Sequence, residues 1–103
     1  MDVLAKKEEL MRRRAALVGD LSEIEQALDA PQPTDWEDRA SERQGDEVLE
    51  ALGQAELIEL KRIDAALVRI ADGTYGMCMA CEQPISDARL DAVPDAALCR
   101  FCA

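Results

Sequence analysis

The chain has 103 residues, a third of them charged, with 22 acidic against 12 basic side chains, a net charge of −10 and a pI near 4.3. That balance excludes a protein that clamps nucleic acid by neutralising phosphates, which needs a basic face, and the single Trp, Tyr and Phe argue against a sheet-rich core. No apolar run approaches the ~20 residues of a membrane span, and the opening MDVLAKKEELMRRR holds no apolar signal core, so the sequence predicts a soluble, cytoplasmic protein with no membrane contact.

In chain order, Val3, Leu10, Leu17 and Ile24 recur every seven residues, flanked by Leu4, Met11 and Val18 and extended by Leu21 and Leu28. This heptad predicts an amphipathic helix over 3–29 whose apolar stripe must be covered. It stops at Asp29-Ala30-Pro31-Gln32-Pro33, because proline lacks a backbone donor and disfavours helix at the residue before it. Thr34 and Glu37 then form a capping-box pattern that starts a second helix. Its seam runs through Leu49, Leu52, Leu60, Ile63, Leu67 and Ile70 to a natural stop at Gly73. An irregular stretch around Gly53 and Glu56 predicts a local bend or weak packing.

Two such helices joined by a short Pro-containing turn predict a mostly α protein: an antiparallel coiled-coil helical hairpin over 1–72 with its tip at 30–38, followed by a small module over 73–103. A rod closed off in this way needs no partner subunit, so a monomer is expected. Charge is unevenly spread along the rod. From Ala15 to Leu60 there are thirteen acidic and two basic residues, whereas the remainder holds nine acidic and ten basic. Antiparallel pairing gathers Lys6, Lys7, Arg12, Arg13, Arg14, Lys61, Arg62 and Arg69 at the base and leaves the tip half acidic. At that tip Asp35 and Asp38 lie three apart at a helix start, on one face, with Ala40 close by. Capping and dipole compensation are their plain role, and Trp36 fits either a contact anchor or a hydrophobic staple.

All four cysteines fall in the last quarter as two Cys-x-x-Cys pairs, Cys78/Cys81 and Cys99/Cys102, separated by seventeen residues. A two-residue gap lets both thiolates of a knuckle reach one metal, and a segment of this length folds back to bring the second knuckle round. The pattern predicts one structural Zn²⁺ with four thiolate ligands and no open position. Disulfides fit poorly with the missing signal core, and a thioredoxin-type pair fits poorly with the helix that precedes Cys78. Met77 and Met79 read as packing this finger against the helix.

At this point a resemblance becomes specific. Asp35-x-x-Asp38-x-Ala40, on the tip of a hairpin that ends in a four-cysteine finger, resembles the DksA/TraR family of bacterial RNA polymerase-binding regulators. The finger agrees through Tyr75-Gly76-x-Cys78-x-x-Cys81, Ile85, Arg89-Leu90-x-Ala92-x-Pro94, Ala96, Leu98-Cys99 and Cys102. Helix one matches in architecture only. The resemblance implies a transcription regulator, not an enzyme, that binds RNA polymerase, inserts its hairpin into the secondary channel and alters promoter-complex stability, as in the stringent response. It also implies that Asp35, Asp38 and Ala40 carry that effect, without direct sequence-specific DNA binding.

The sequence departs from the family in three places. It stops at Ala103, where longer members continue into a helix. Positions that in longer members help bind guanosine tetraphosphate (ppGpp) jointly with polymerase fall on Ala55, Glu59 and Arg62, of which Arg62 alone is basic and is a possible ppGpp or polymerase contact. Glu82 stands where the finger usually has glycine, which predicts a strained knuckle or another geometry. Beside the polymerase regulator, two alternatives stay open: a Gre-like factor that stimulates transcript cleavage, and a zinc-stapled adaptor that does not act on polymerase.

Overall fold

The computed structural model describes residues 1–29 and 36–103, with side chains of the second stretch from 45 onward. Its first helix, α1 (Val3–Leu28), begins where Asp2 accepts the Ala5 N–H at 3.2 Å, which satisfies one of the donors a helix start leaves open. The Asp29 N–H closes the last turn on Glu25. The second helix, α2 (Trp36–Asp72), has 37 residues and is about 56 Å long at 1.5 Å per residue. It ends as expected at Gly73, whose φ of +79° is left-handed, and the Thr74 and Tyr75 N–H groups return to the Arg69 carbonyl at 2.9 and 3.1 Å. A short third helix, α3 (Asp87–Ala92), lies inside the C-terminal module, with Ser86 accepting the Arg89 N–H at 3.2 Å.

α1 and α2 pack as a hairpin within a molecule 58 Å long. The heptad identifies the buried face of α1: Leu10, Leu17 and Ile24 are buried, while Val3, Leu4, Met11 and Val18 face solvent. On α2, Ile63 and Ala66 are buried and Leu49, Leu60, Leu67 and Ile70 are half-buried. Leu52, placed in the seam by its spacing, is instead 47% exposed. α2 runs unbroken through Gly53, and the irregular stretch is accommodated by closeness: a Cβ at Gly53 would stand 3.6 Å from Ile24 Cγ2.

Two ion pairs tie the helices together across the seam. Arg13 Nε and Nη2 donate to both carboxylate oxygens of Glu59 at 3.1 and 2.8 Å, and Arg14 Nε donates to Asp64 at 2.7 Å. Both pairs are about half exposed to solvent, so they contribute specificity of register more than stability. They also neutralise part of the basic cluster expected at the base.

The core does not stop at the end of the hairpin. Leu10, Leu17, Ile63 and Ala66 form one buried cluster with Tyr75, Cys78, Ile85, Leu90, Ala96 and Cys99. The C-terminal module is thus packed onto the helices through Tyr75, Ile85 and Leu90. Met77 and Met79 do not take that role: they are 47% and 67% exposed.

Candidate functional site

The module that carries the cysteines is positioned by the end of α2. Arg69 is buried, and its Nη2 donates to the carbonyls of Asp95 and Ala96 at 3.3 and 3.4 Å, across the joint. The Tyr75 hydroxyl donates to the Pro94 carbonyl at 2.8 Å, and Lys6 of α1 reaches Asp91 at 2.6 Å. That last bond is the main reason the Lys6 ammonium is held above its ordinary pKa. Arg89 closes the module internally, from Nε to the Leu98 carbonyl at 2.8 Å. The sequence places Arg69 only in the basic cluster at the base and does not predict α3, for which the Ser86-Asp87 pair, readable as an N-cap, is the signal.

Within that frame the two knuckles converge. The Sγ atoms of Cys78, Cys81, Cys99 and Cys102 all lie within 4.8 Å of one another, and Cys81 and Cys99 are 3.8 Å apart. This matches a tetrahedral zinc, whose bonds of about 2.3 Å place sulfurs about 3.8 Å from each other, and is far too long for a disulfide. The first knuckle is shaped by backbone bonds from Cys78 N–H to Gln83 O and from Glu82 N–H to Cys78 O. Glu82 pays the expected conformational cost at φ +61°, a left-handed value that normally favours glycine.

The donor set also fits a dication electrostatically. Cys78 is pulled down to about 6, first by the backbone N–H of Cys99 and then by that of Cys81, with Ala80 adding to them. Cys102 is pushed up to about 12 by the neighbouring sulfurs of Cys99, Cys78 and Cys81. Four sulfurs this close cannot all ionise by themselves, and a central Zn²⁺ removes that conflict. With four protein ligands the coordination shell is closed, so the centre holds structure and offers no position to substrate.

The other anticipated residues are dispersed. Asp35 lies outside the described residues; Asp38 and Ala40 belong to the first turns of α2, and their side chains, like that of Trp36, lie outside the described ones. Of the three positions matched to the nucleotide-binding set, Ala55 is exposed and Glu59 is held by both arms of Arg13. Arg62 is exposed and lines a shallow depression of about 310 Å³ with Arg89 and Asp95. Of these, Arg89 is already committed to the Leu98 carbonyl. In mid-rod, Asp20, Glu23 and Glu56 line a depression together with Ile24 and the half-buried Leu49, and one Glu56 oxygen is buried without a partner among the described residues.

Two family profiles match the chain in the order of the fold. "DnaK suppressor protein-like, N-terminal domain" covers 7–70, and "Prokaryotic dksA/traR C4-type zinc finger" covers 73–103. An uncharacterized protein of Aquifex aeolicus is 34% identical over 94% of this chain, and the RNA polymerase-binding transcription factor DksA of Caulobacter vibrioides is 36% identical over 93%. The chain spans about two thirds of the length of these relatives, 70% and 64% respectively. Among solved structures, transcription factor DksA2 from Pseudomonas aeruginosa superposes with a TM-score of 0.84 at 32% identity, covering 98% of this chain and 81% of that one. The DnaK suppressor protein from Agrobacterium tumefaciens superposes at 0.69 with 46% identity, covering 98% and 90%. Together the profile and the sulfur geometry make Cys78, Cys81, Cys99 and Cys102 the ligands of one structural zinc. Among the described residues, no helix is long and apolar enough to cross a membrane.

Proposed function

This chain belongs to the DksA/TraR family, and from that membership we propose that it is a cytoplasmic transcription regulator that binds bacterial RNA polymerase without catalysing a reaction itself. The observation that carries this reading is the shared core. The hairpin base and the zinc module are one packed body, so the chain is a rod with a rigid foot. Such a shape suits a protein that grips a larger machine by its base and reaches into it with its tip. The hairpin of 1–72 is the probe, and the module of 73–103 is the foot.

On this reading the tip at 30–38 enters the secondary channel of polymerase, and Asp35, Asp38 and Ala40 form its working end. Two carboxylates at the start of a helix present acceptors to mobile basic elements near the polymerase active centre. Altering those elements changes the lifetime of promoter complexes, and the same contact can therefore inhibit one promoter and activate another. The closed zinc centre contributes by holding the foot, not by reacting. The regulator acts as a monomer and reads no DNA sequence.

The nucleotide ppGpp is not required for this activity. Glu59 is paired with Arg13, and the depression that Arg62 lines also holds the carboxylate of Asp95, an unfavourable lining for a multiply charged anion. The test is in vitro transcription from a ribosomal RNA promoter with purified bacterial RNA polymerase, with and without ppGpp. Inhibition that ppGpp does not enhance is the expected result. Absence of any effect by the zinc-loaded protein would overturn the proposal, and stimulated transcript cleavage in stalled complexes would replace it with a cleavage factor.

A further inference from the structure

Between the last two turns of α2 and the first zinc knuckle lies an open groove of about 600 Å³ that nothing in the chain fills. Its walls are Ala65 and Val68 on the helix and Met77 and Met79 on the finger, and Val68, Met77 and Met79 are 58%, 47% and 67% exposed. Arg69 also lines the groove, but it is buried and its Nη2 donates to the Asp95 and Ala96 carbonyls, so the exposed charges there are acidic. The charges at the rim are Asp72 and Glu82, both exposed and without an ion pair among the described residues.

We propose that this groove is a docking surface for an apolar protein segment flanked by basic residues, carried by RNA polymerase; the choice of partner rests on the function proposed above. Charge complementarity selects the occupant. An apolar floor between two carboxylates, on a chain of net charge −10, matches an apolar segment whose flanks are lysine or arginine. A second copy of this chain fits badly, because an isologous contact would set Asp72 and Glu82 against their own counterparts. A small metabolite also fits badly, since such sites hold convergent polar groups to fix orientation, and most of the surface exposed in this groove is apolar. Unbranched methionines suit a protein partner because they adapt to its surface. The groove thus supplies affinity at the base of the rod, separately from the effect exerted by the tip.

The test uses the full zinc-loaded chain and purified bacterial RNA polymerase, with affinity measured for wild type, Val68→Asp/Met79→Asp and Asp72→Lys/Glu82→Lys. Zinc content and thermal midpoint are checked in each, and Val18→Asp controls for loss of an exposed apolar residue elsewhere. Both groove variants are expected to bind at least about tenfold more weakly, a difference near 1.4 kcal/mol, while remaining zinc-loaded and folded. The charge-reversal loss should shrink as salt rises, because exposed charges are screened. Groove variants that are folded and bind like wild type would overturn the groove and leave the polymerase reading standing. Failure of the wild type to bind polymerase would overturn that reading and the docking proposal with it. A wild-type dimer by light scattering that Val68→Asp/Met79→Asp dissociates would assign the groove to a second copy and also overturn the proposal.

Discussion

Tyr75 and Pro94 are joined by a 2.8 Å hydrogen bond from the phenol to the proline carbonyl, which ties the turn after α2 to the segment after α3. Burial raises the phenol above its ordinary pKa, with Lys6 and Arg69 opposing that shift. Above pH ~10 the unfolded chain loses this proton while the native chain keeps it, so the native state binds more protons and stability falls as pH rises. Because the chain has one tyrosine and its Trp36 does not titrate, the absorbance change on forming the phenolate reports Tyr75 alone. The native midpoint should lie above that measured in denaturant, and Tyr75→Phe should cost about 1 kcal/mol. Coincident native and denatured titrations would contradict the buried, bonded phenol.

Arg69 is expected to matter more. Its side chain is buried and bonded to two carbonyls of the zinc module, while its own carbonyl receives the N–H groups of Thr74 and Tyr75. Arg69→Ala leaves the Asp95 and Ala96 carbonyls without that donor and should cost about 2–3 kcal/mol in chemical denaturation. Arg69→Lys should recover little, since one compact ammonium does not reproduce the planar fork. A full recovery by lysine would show that charge alone matters at this joint.

Removing zinc should affect more than the module that binds it. Leu10, Leu17 and Ile63 of the hairpin share a core with Cys78, Ile85 and Leu90, so losing the knuckles uncovers the base of both long helices. A chelator should lower the thermal midpoint by at least about 10 °C and reduce helical circular dichroism by more than the six residues of α3 account for. An unchanged helical signal after complete zinc loss would mean that the hairpin stands by itself.

Glu82 and Gly73 form an internal comparison of left-handed positions, at φ +61° and +79°. Glu82→Gly should be stabilising by about 0.5–1 kcal/mol, because a side chain in this region is strained. Gly73→Val should be destabilising by more than about 1 kcal/mol for the same reason. Measured midpoints in which Glu82→Gly loses stability would show that its side chain makes a compensating contact.

Much of this architecture is legible in the sequence, for identifiable reasons. Leu10, Leu17 and Ile24 are buried because a seven-residue period keeps one helix face toward its partner, and the cysteine spacing works because it reflects metal geometry. Spacing failed where the partner surface decides. Leu52 fits the seam by count but is exposed, and the small Gly53 beside it meets Ile24. Met77 and Met79 are apolar and were expected to pack, yet Tyr75, Ile85 and Leu90 cover the helix base first. Arg69 was assigned to a basic cluster because nothing in one dimension shows that two carbonyls 26 and 27 residues later await it.

The most direct test of the account compares wild type with Asp35→Asn/Asp38→Asn in open-complex lifetime at a ribosomal RNA promoter, at concentrations that give equal occupancy of RNA polymerase. Wild type is expected to shorten the lifetime, and the variant to bind with nearly unchanged affinity while losing at least about tenfold of the effect, about 1.4 kcal/mol. A variant that shortens the lifetime as well as wild type at equal occupancy would contradict the tip as the working end.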